Sequence, residues 1–215
     1  MFFPYKDDNP RVLFPYITYI IILINIVVFL TFTYYSIFTD DRMLFYTFGF
    51  VPSSFNLLSI LSSMFIHGSF THILSNMWFL YIFGDNIESI LGHFKFFVFY
   101  ILCGIGAAFT QYAVDTNSSI PMVGASGAIA GVLGAYMISF PKAKVHVFAF
   151  IIIFITTLVV PAQIVLGMWF LIQLSNGLNS LGIDTNGGIA WFAHIGGFVA
   201  GIGSIKYIQK FRIKF

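Results

Sequence analysis

The chain is a series of long apolar runs separated by short polar breaks. Leu13 to Tyr35 is apolar throughout and predicts a first membrane span. Thr39 to Phe65 is mixed, with Asp40, Asp41, Arg42, Pro52 and many serines, and predicts a long first loop with short interfacial helices. Thr71 to Leu91 and Phe94 to Val114 predict spans two and three. A polar loop, Asp115 to Ser119, and then Pro121 precede a fourth span from Ser126 to Phe140, rich in Gly and Ala; Ile189 to Ile208 predicts the last. The runs do not alternate in polarity, as the roughly 10-residue strands of a membrane barrel do, so the spans are predicted to be helical.

Val145 to Gly177 resists a simple reading. It contains no Asp, Glu, Lys or Arg, and Pro161 interrupts it. A single helix over this stretch would be about 50 Å long against a hydrocarbon core of about 30 Å, and proline ends or kinks any helix it enters. Either one span, Ala162 to Leu178, follows an interfacial or re-entrant piece, or two short spans lie here. Charge decides, because the inner flanks of spans carry an excess of Lys and Arg. Six spans with the N-terminus inside put Lys6, Arg11, Lys95, Lys142, Lys144, Lys206, Lys210, Arg212 and Lys214 inside and leave Arg42 outside. Seven spans would move the basic tail outside. The prediction is an all-α membrane protein: a six-helix bundle with both termini cytoplasmic, forming a single membrane domain over residues 1–215.

Composition narrows the class further. Hydrophobic residues are 59% of the chain and charged residues 8%, with a mean hydropathy of +0.92. A soluble domain carries about 25% charged residues, so a soluble enzyme and a disordered chain are both excluded. A net charge of +2 with no basic stripe argues against nucleic-acid binding. A lone cysteine, Cys103, allows neither an intrachain disulfide nor a Cys-based metal site. No signal-peptide pattern precedes the first run, and no repeat or second domain is visible. The lack of a leader or extra domain leads to the expectation of a prokaryotic plasma membrane.

Polar side chains inside spans are expensive and need a reason. Three clusters stand out: His67, His72 and Asn76 at the start of the second span, Gly124-Ala125-Ser126-Gly127 at the start of the fourth, and His194 with Gly196, Gly197 and Gly201 in the sixth. In the six-span topology these three helices run the same way, so all three clusters lie at one depth, near the outer surface. A serine hydroxyl is a poor nucleophile until a base within hydrogen-bond reach takes its proton, and histidine is the side chain suited to do so. Ser126 shares a helical face with Ala130 and Gly134, and His194 shares one with Gly197 and Gly201. Small residues at these spacings let two helix backbones nearly touch, as a Ser–His bond requires. Asn76, His72 one turn before it, and the free N–H groups at the start of the fourth span, including that of Ser126, can receive an oxyanion. His67, out of phase with that face, braces the loop entering the second span. A zinc site on His67 and His72 has no third ligand nearby, and no HExxH motif is present. Neither metal nor cofactor is implied. No carboxylate is well placed to complete a triad: Asp85 lies about 13 Å deeper than Asn76 along the helix, while Asp115 and Asp184, in outer loops, stay open as assistants to the dyad. The reading is therefore a Ser126–His194 dyad.

The segments HGSFTHILSNMWFLYIFGDNIE, PMVGASGAIAGVLGAY and AHIGGFVAG, in this order and spacing, resemble the rhomboid family of intramembrane serine proteases over about Ser59 to Ser204. The resemblance implies a rhomboid-like bundle with Ser126 as nucleophile and His194 as base, and Asn76, His72 and the Ser126 backbone as oxyanion hole. It also implies that Glu88 bonds polar groups at the inner helix ends. The fifth span and the following loop, Asn179 to Gly188, would form a mobile gate and cap, with Trp169 and Phe170 adding bulk. Its substrates would be transmembrane proteins with helix-destabilising residues and a small residue before the cut. Two departures are visible. Ala130 stands where some members carry a tyrosine that stacks on the histidine, which leaves the imidazole to be oriented by other packing such as Trp191 or Phe192. The first loop also lacks a Trp-Arg pair found in some members. Two other classes stay open at this point: a non-proteolytic chaperone or quality-control factor that binds spans with Ser126 idle, and a small transporter. The sequence says nothing of the oligomeric state.

Overall fold

The computed structural model describes residues 2–38, 40–151, 154–181 and 189–210. Within them are eight α-helices and three β-strands. Strand β1 is Phe2–Asp7, and helix α1 is Tyr16–Ser36. Helices α2 (Asp41–Phe48) and α3 (Leu57–Ser63), with a 3₁₀ turn at Pro52–Ser54 between them, build the first loop. Helices α4 (Phe70–Leu91), α5 (His93–Val114) and α6 (Ser126–Ser139) follow. Strands β2 (Lys144–Ile151) and β3 (Phe154–Pro161) lead to α7 (Ala162–Ser180) and α8 (Trp191–Lys210). Helices α1 and α4 to α8 fall on the six predicted spans, most within one or two residues.

By length and apolar composition alone, α1 and α5 are long enough to cross a membrane; α6 is apolar but shorter. Helix α6 lies at the centre, with every residue from Gly127 to Tyr136 buried. It crosses α8 at backbone contact. A Cβ on Gly197 would overlap the carbonyl of Gly127, one on Gly201 would overlap that of Gly131, and one on Gly134 would overlap that of Phe198. The small-residue faces are thus the reason this crossing exists.

The all-α expectation is corrected by a three-stranded antiparallel sheet in the order β1-β2-β3. The piece expected to be interfacial or re-entrant is a hairpin. Its strands, KVHVFAFI and FITTLVVP, are rich in β-branched and aromatic residues. Val145 and Val147 are buried on one face of β2, while His146 turns the other way to meet Asp8, with Nε2 2.8 Å from Oδ1. The full register runs from Lys144 opposite Pro161 to Ile151 opposite Phe154. Pro161 both closes β3 and precedes the first turn of α7, where its missing N–H costs nothing.

Strand β1 docks the N-terminal segment onto β2 and α4. Trp78 Nε1 donates to the Pro4 carbonyl at 2.8 Å, and Phe3 stacks on Trp78. Further along, Glu88 is fully buried and accepts from the backbone N–H groups of Ile17 (2.9 Å) and Thr18 (2.8 Å) and from the Thr18 hydroxyl (2.7 Å). His93 Nδ1 lies 2.6 Å from Oε1, the oxygen that also accepts from Ile17. The carboxylate thereby satisfies N–H groups that the first turn of α1 leaves without intrahelical partners.

Asp7, at the end of β1, accepts from the Tyr136 hydroxyl and, at 3.1 Å, from Asn86 Nδ2. Burial pushes its carboxyl up from 3.8 to about 6; the Tyr136 bond opposes this and the charge of Asp85 adds to it. Asp85 itself is held by Arg11, 2.9 Å away. The docked strand therefore binds its proton more tightly than a free chain does. Its contribution is whole below about pH 4 and is lost as pH rises through about 6. Limited proteolysis ahead of α1 is expected to be several-fold faster at about pH 7.5 than at about pH 5, with protease rates matched, and Asp7→Asn should flatten this dependence.

Candidate active site

Three helix beginnings converge on one cavity. His72 and Asn76 lie in the first two turns of α4, Ser126 is the first residue of α6, and His194 lies in the first turn of α8. All four line a cavity of about 610 Å³, together with Gly124 and Gly127. Met64 and Gly104 also line it, with Pro121 to Val123 along one wall. The wall segment is held by paired backbone bonds between Phe50 and Met122 (3.0 and 2.8 Å), and by the Gly124 N–H donating to the Ser63 carbonyl at 2.9 Å.

Gly124 has φ +117°, a conformation a side chain would strain, and a Cβ there would stand 2.6 Å from His72 Nε2. This turn brings the chain into α6 so that the serine heads the helix. The N–H of Ser126 then belongs to the set that a helix start leaves without intrahelical acceptors. Asn76 Nδ2 donates to the His72 carbonyl at 3.0 Å, which leaves its second proton free to face the cavity. His67 is buried behind His72, ring centroids 5.0 Å apart and edge to face, and does not line the cavity. Gly197 and Gly201 are not cavity residues either; they form the α6–α8 crossing. Among the described residues no group of three His, Cys, Asp or Glu is placed to hold a metal ion.

The imidazole of His194 bridges two partners. Its Nε2 is 2.8 Å from Ser126 Oγ, and its Nδ1 is 2.8 Å from Gln173 Oε1 on α7. Trp169 and Trp191 flank the ring, at centroid distances of 5.9 and 6.3 Å. Ala130, one turn after the serine, is buried and carries no ring to stack on the imidazole. Of the two expected packing partners, Trp191 and Phe192, Trp191 makes the ring contact; Trp169 and Gln173 complete the set. Gln173 escaped the sequence reading, although a polar side chain inside the apolar run Met168 to Leu174 was a signal for it. Phe170 stacks on Phe198, with ring centroids 4.6 Å apart. Asp115 caps α5 in the exposed loop, and Asp184, with most of the predicted cap, lies outside the described residues.

Residues 54–210 match the family model of the rhomboid domain. The chain belongs to the rhomboid family. Rhomboid protein 1 of Saccharomyces cerevisiae, a mitochondrial protein, is 34% identical over 71% of this chain and 42% of its own length. The mitochondrial presenilin-associated rhomboid-like protein of Bos taurus is 33% identical over 73% of this chain and 40% of its own length. RHOMBOID-like protein 5 of Arabidopsis thaliana is 28% identical over 66% of this chain and 41% of its own length. The chain thus spans about two fifths of the length of the curated relatives it matches. The fold of this rhomboid is a membrane helical bundle, and the family is in general one of intramembrane serine proteases. The expectation of a prokaryotic plasma membrane is overturned, because the yeast and bovine relatives are mitochondrial proteins. The absence of a visible leader carried that expectation, and a chain that covers only part of its relatives gives no ground for it.

Proposed function

We propose that this rhomboid is a serine endopeptidase that hydrolyses peptide bonds in or beside the transmembrane segments of other membrane proteins. The observation that carries the reading is the 2.8 Å contact between His194 Nε2 and Ser126 Oγ in a cavity shared with His72 and Asn76. Ser126 Oγ attacks the scissile carbonyl as its proton passes to His194 Nε2. The resulting oxyanion is held by the Asn76 amide, by His72 and by the Ser126 backbone N–H. His194 then gives its proton to the leaving amine, and a water activated by the same imidazole releases the acyl group from Ser126.

In this reading α1 and α4 to α8 are six spans of one membrane domain. The β-sheet and the C-terminal end share the basic side, and the cavity opens on the other. A helix of 14 residues such as α6 is about 21 Å long, short of a core of about 30 Å. If its inner end reaches the basic surface, Ser126 lies recessed below the opposite one, where polar cavity walls admit water. By family resemblance the substrates are membrane proteins with helix-destabilising residues and a small residue at the cut. The yeast and bovine relatives point to a mitochondrial membrane as the location.

The test is cleavage of a transmembrane reporter by purified protein, wild type beside Ser126→Ala, with the cut mapped by mass. Cleavage in or next to the span by the wild type alone supports the reading. Reporter binding without cleavage by either protein would instead favour a catalytically silent chaperone. Within the protease reading, Asn76→Ala is expected to lower kcat by about 10²-fold or more with little change in KM, because its amide meets charge that exists only in the transition state.

A further inference from the structure

We propose that Gln173 is a positioning residue for the reaction: its amide oxygen accepts the Nδ1 proton of His194 and so holds the imidazole in the tautomer and orientation that present a bare Nε2 to Ser126. The proposal rests on the protease reading above and deepens it. Two hydrogen bonds of equal length, 2.8 Å each, place the ring between Gln173 Oε1 and Ser126 Oγ. A neutral imidazole has one N–H and one bare nitrogen, and the partner of one decides the role of the other. An acceptor at Nδ1 makes Nε2 the base. Without one, the proton is free to sit on Nε2, where it cannot take another from serine.

The position of Gln173 in its helix argues against a packing role. The buried residues of α7 are Ala162, Leu166, Gln173 and Gly177, which form one stripe toward the bundle. The outward positions beside it, Leu171 and Ile172, are exposed apolar residues. An apolar side chain would fill the stripe at no desolvation cost, whereas a buried amide is costly unless it is bonded. The bond it makes is the one to His194. A neutral acceptor also suits the site: a carboxylate here would carry a larger desolvation cost, offset in part by its attraction for the imidazolium. The consequence is chemical. Glutamine fixes the tautomer but does not neutralise the imidazolium that forms during the reaction, so its share of the rate is smaller than that of the aspartate in a Ser-His-Asp triad, whose replacement by asparagine costs about 10⁴-fold.

Three proteins decide the matter: wild type, Gln173→Leu and Gln173→Glu, each purified in full length and checked by thermal melting, with Ser126→Ala as the blank. Gln173→Leu is expected to lower kcat by about 10- to 10²-fold at nearly constant KM, and to slow labelling of Ser126 by a fluorophosphonate to match. Gln173→Glu keeps the acceptor and adds charge. It should retain activity within about tenfold of wild type, and the acidic limb of its kcat/KM profile should move to higher pH by about one unit or more, because the carboxylate favours the charged imidazole. A purely structural glutamine predicts the reverse order, with the buried charge more damaging than leucine and the limb unmoved. That result, or a Gln173→Leu protein within about threefold of wild type, overturns the proposal while the difference between wild type and Ser126→Ala leaves the protease reading standing. A wild type that neither cuts nor labels overturns both.

Discussion

On the protease reading, Ser126→Ala and His194→Ala are each expected to reduce cleavage of a transmembrane reporter by at least about 10⁴-fold, with the double variant no worse than either single one. The reason lies in how the two side chains share one proton. With Ser126 removed, His194 has no hydroxyl to activate; with His194 removed, the Ser126 hydroxyl 2.8 Å away keeps its proton and stays a poor nucleophile. Groups that act as a unit lose their whole effect with the first deletion, which is the pattern known from serine proteases. A residual rate above background would come from the oxyanion donors alone, on His72, Asn76 and the first turn of α6. Both substitutions shorten a side chain without disturbing the glycine contacts of the α6–α8 crossing. Reporter cleavage and melting temperature, measured on the same preparations, separate loss of chemistry from loss of fold.

The second large effect is expected at Gly197. A Cβ there would sit inside the carbonyl of Gly127, backbone against side chain, so no rotamer change can relieve it. Helices α6 and α8 must move apart. Overpacking of this kind costs about 1–3 kcal/mol or more. The same displacement is applied to the reaction centre, because Gly127 follows Ser126 and Gly197 lies one turn after His194. A shift of about 1 Å between reacting groups is enough to cost about 10²-fold in rate. Gly197→Ala should therefore lower both the melting temperature and kcat. Gly203→Ala is the control: it lies on the same helix with nothing within 4 Å of an added Cβ, and should leave activity unchanged and stability equal or slightly higher. Equal behaviour of the two variants would show that the crossing is not held at backbone contact.

The helices that fall on the predicted spans were legible because each is a long apolar run bounded by a physical stop. Gly92, with φ +75°, ends α4 and starts α5, and Pro161 ends β3 and precedes α7. The convergence of Ser126, His194, His72 and Asn76 was legible too, since each is a polar group within the first two turns of an apolar helix. The sheet was not. The β-branched content of Phe154 to Pro161 was a local signal, but in a chain this apolar it does not separate a strand from a buried helix. The pairing of Phe2–Asp7 with β2 joins segments far apart in sequence, and no local pattern encodes it. Gln173 was hidden for a related reason: the helix that carries it and the histidine it meets are connected only through the tertiary fold.

The most direct measurement of the central claim is the site of covalent modification by a fluorophosphonate, mapped by peptide mass spectrometry on the purified, detergent-solubilised protein. The reagent reports an activated serine and needs no knowledge of the substrate. The account predicts a single adduct on Ser126 that is lost in His194→Ala and retained in Gly203→Ala. An unmodified Ser126 in a protein that is folded by its melting curve, or an adduct that forms equally well without His194, would contradict it.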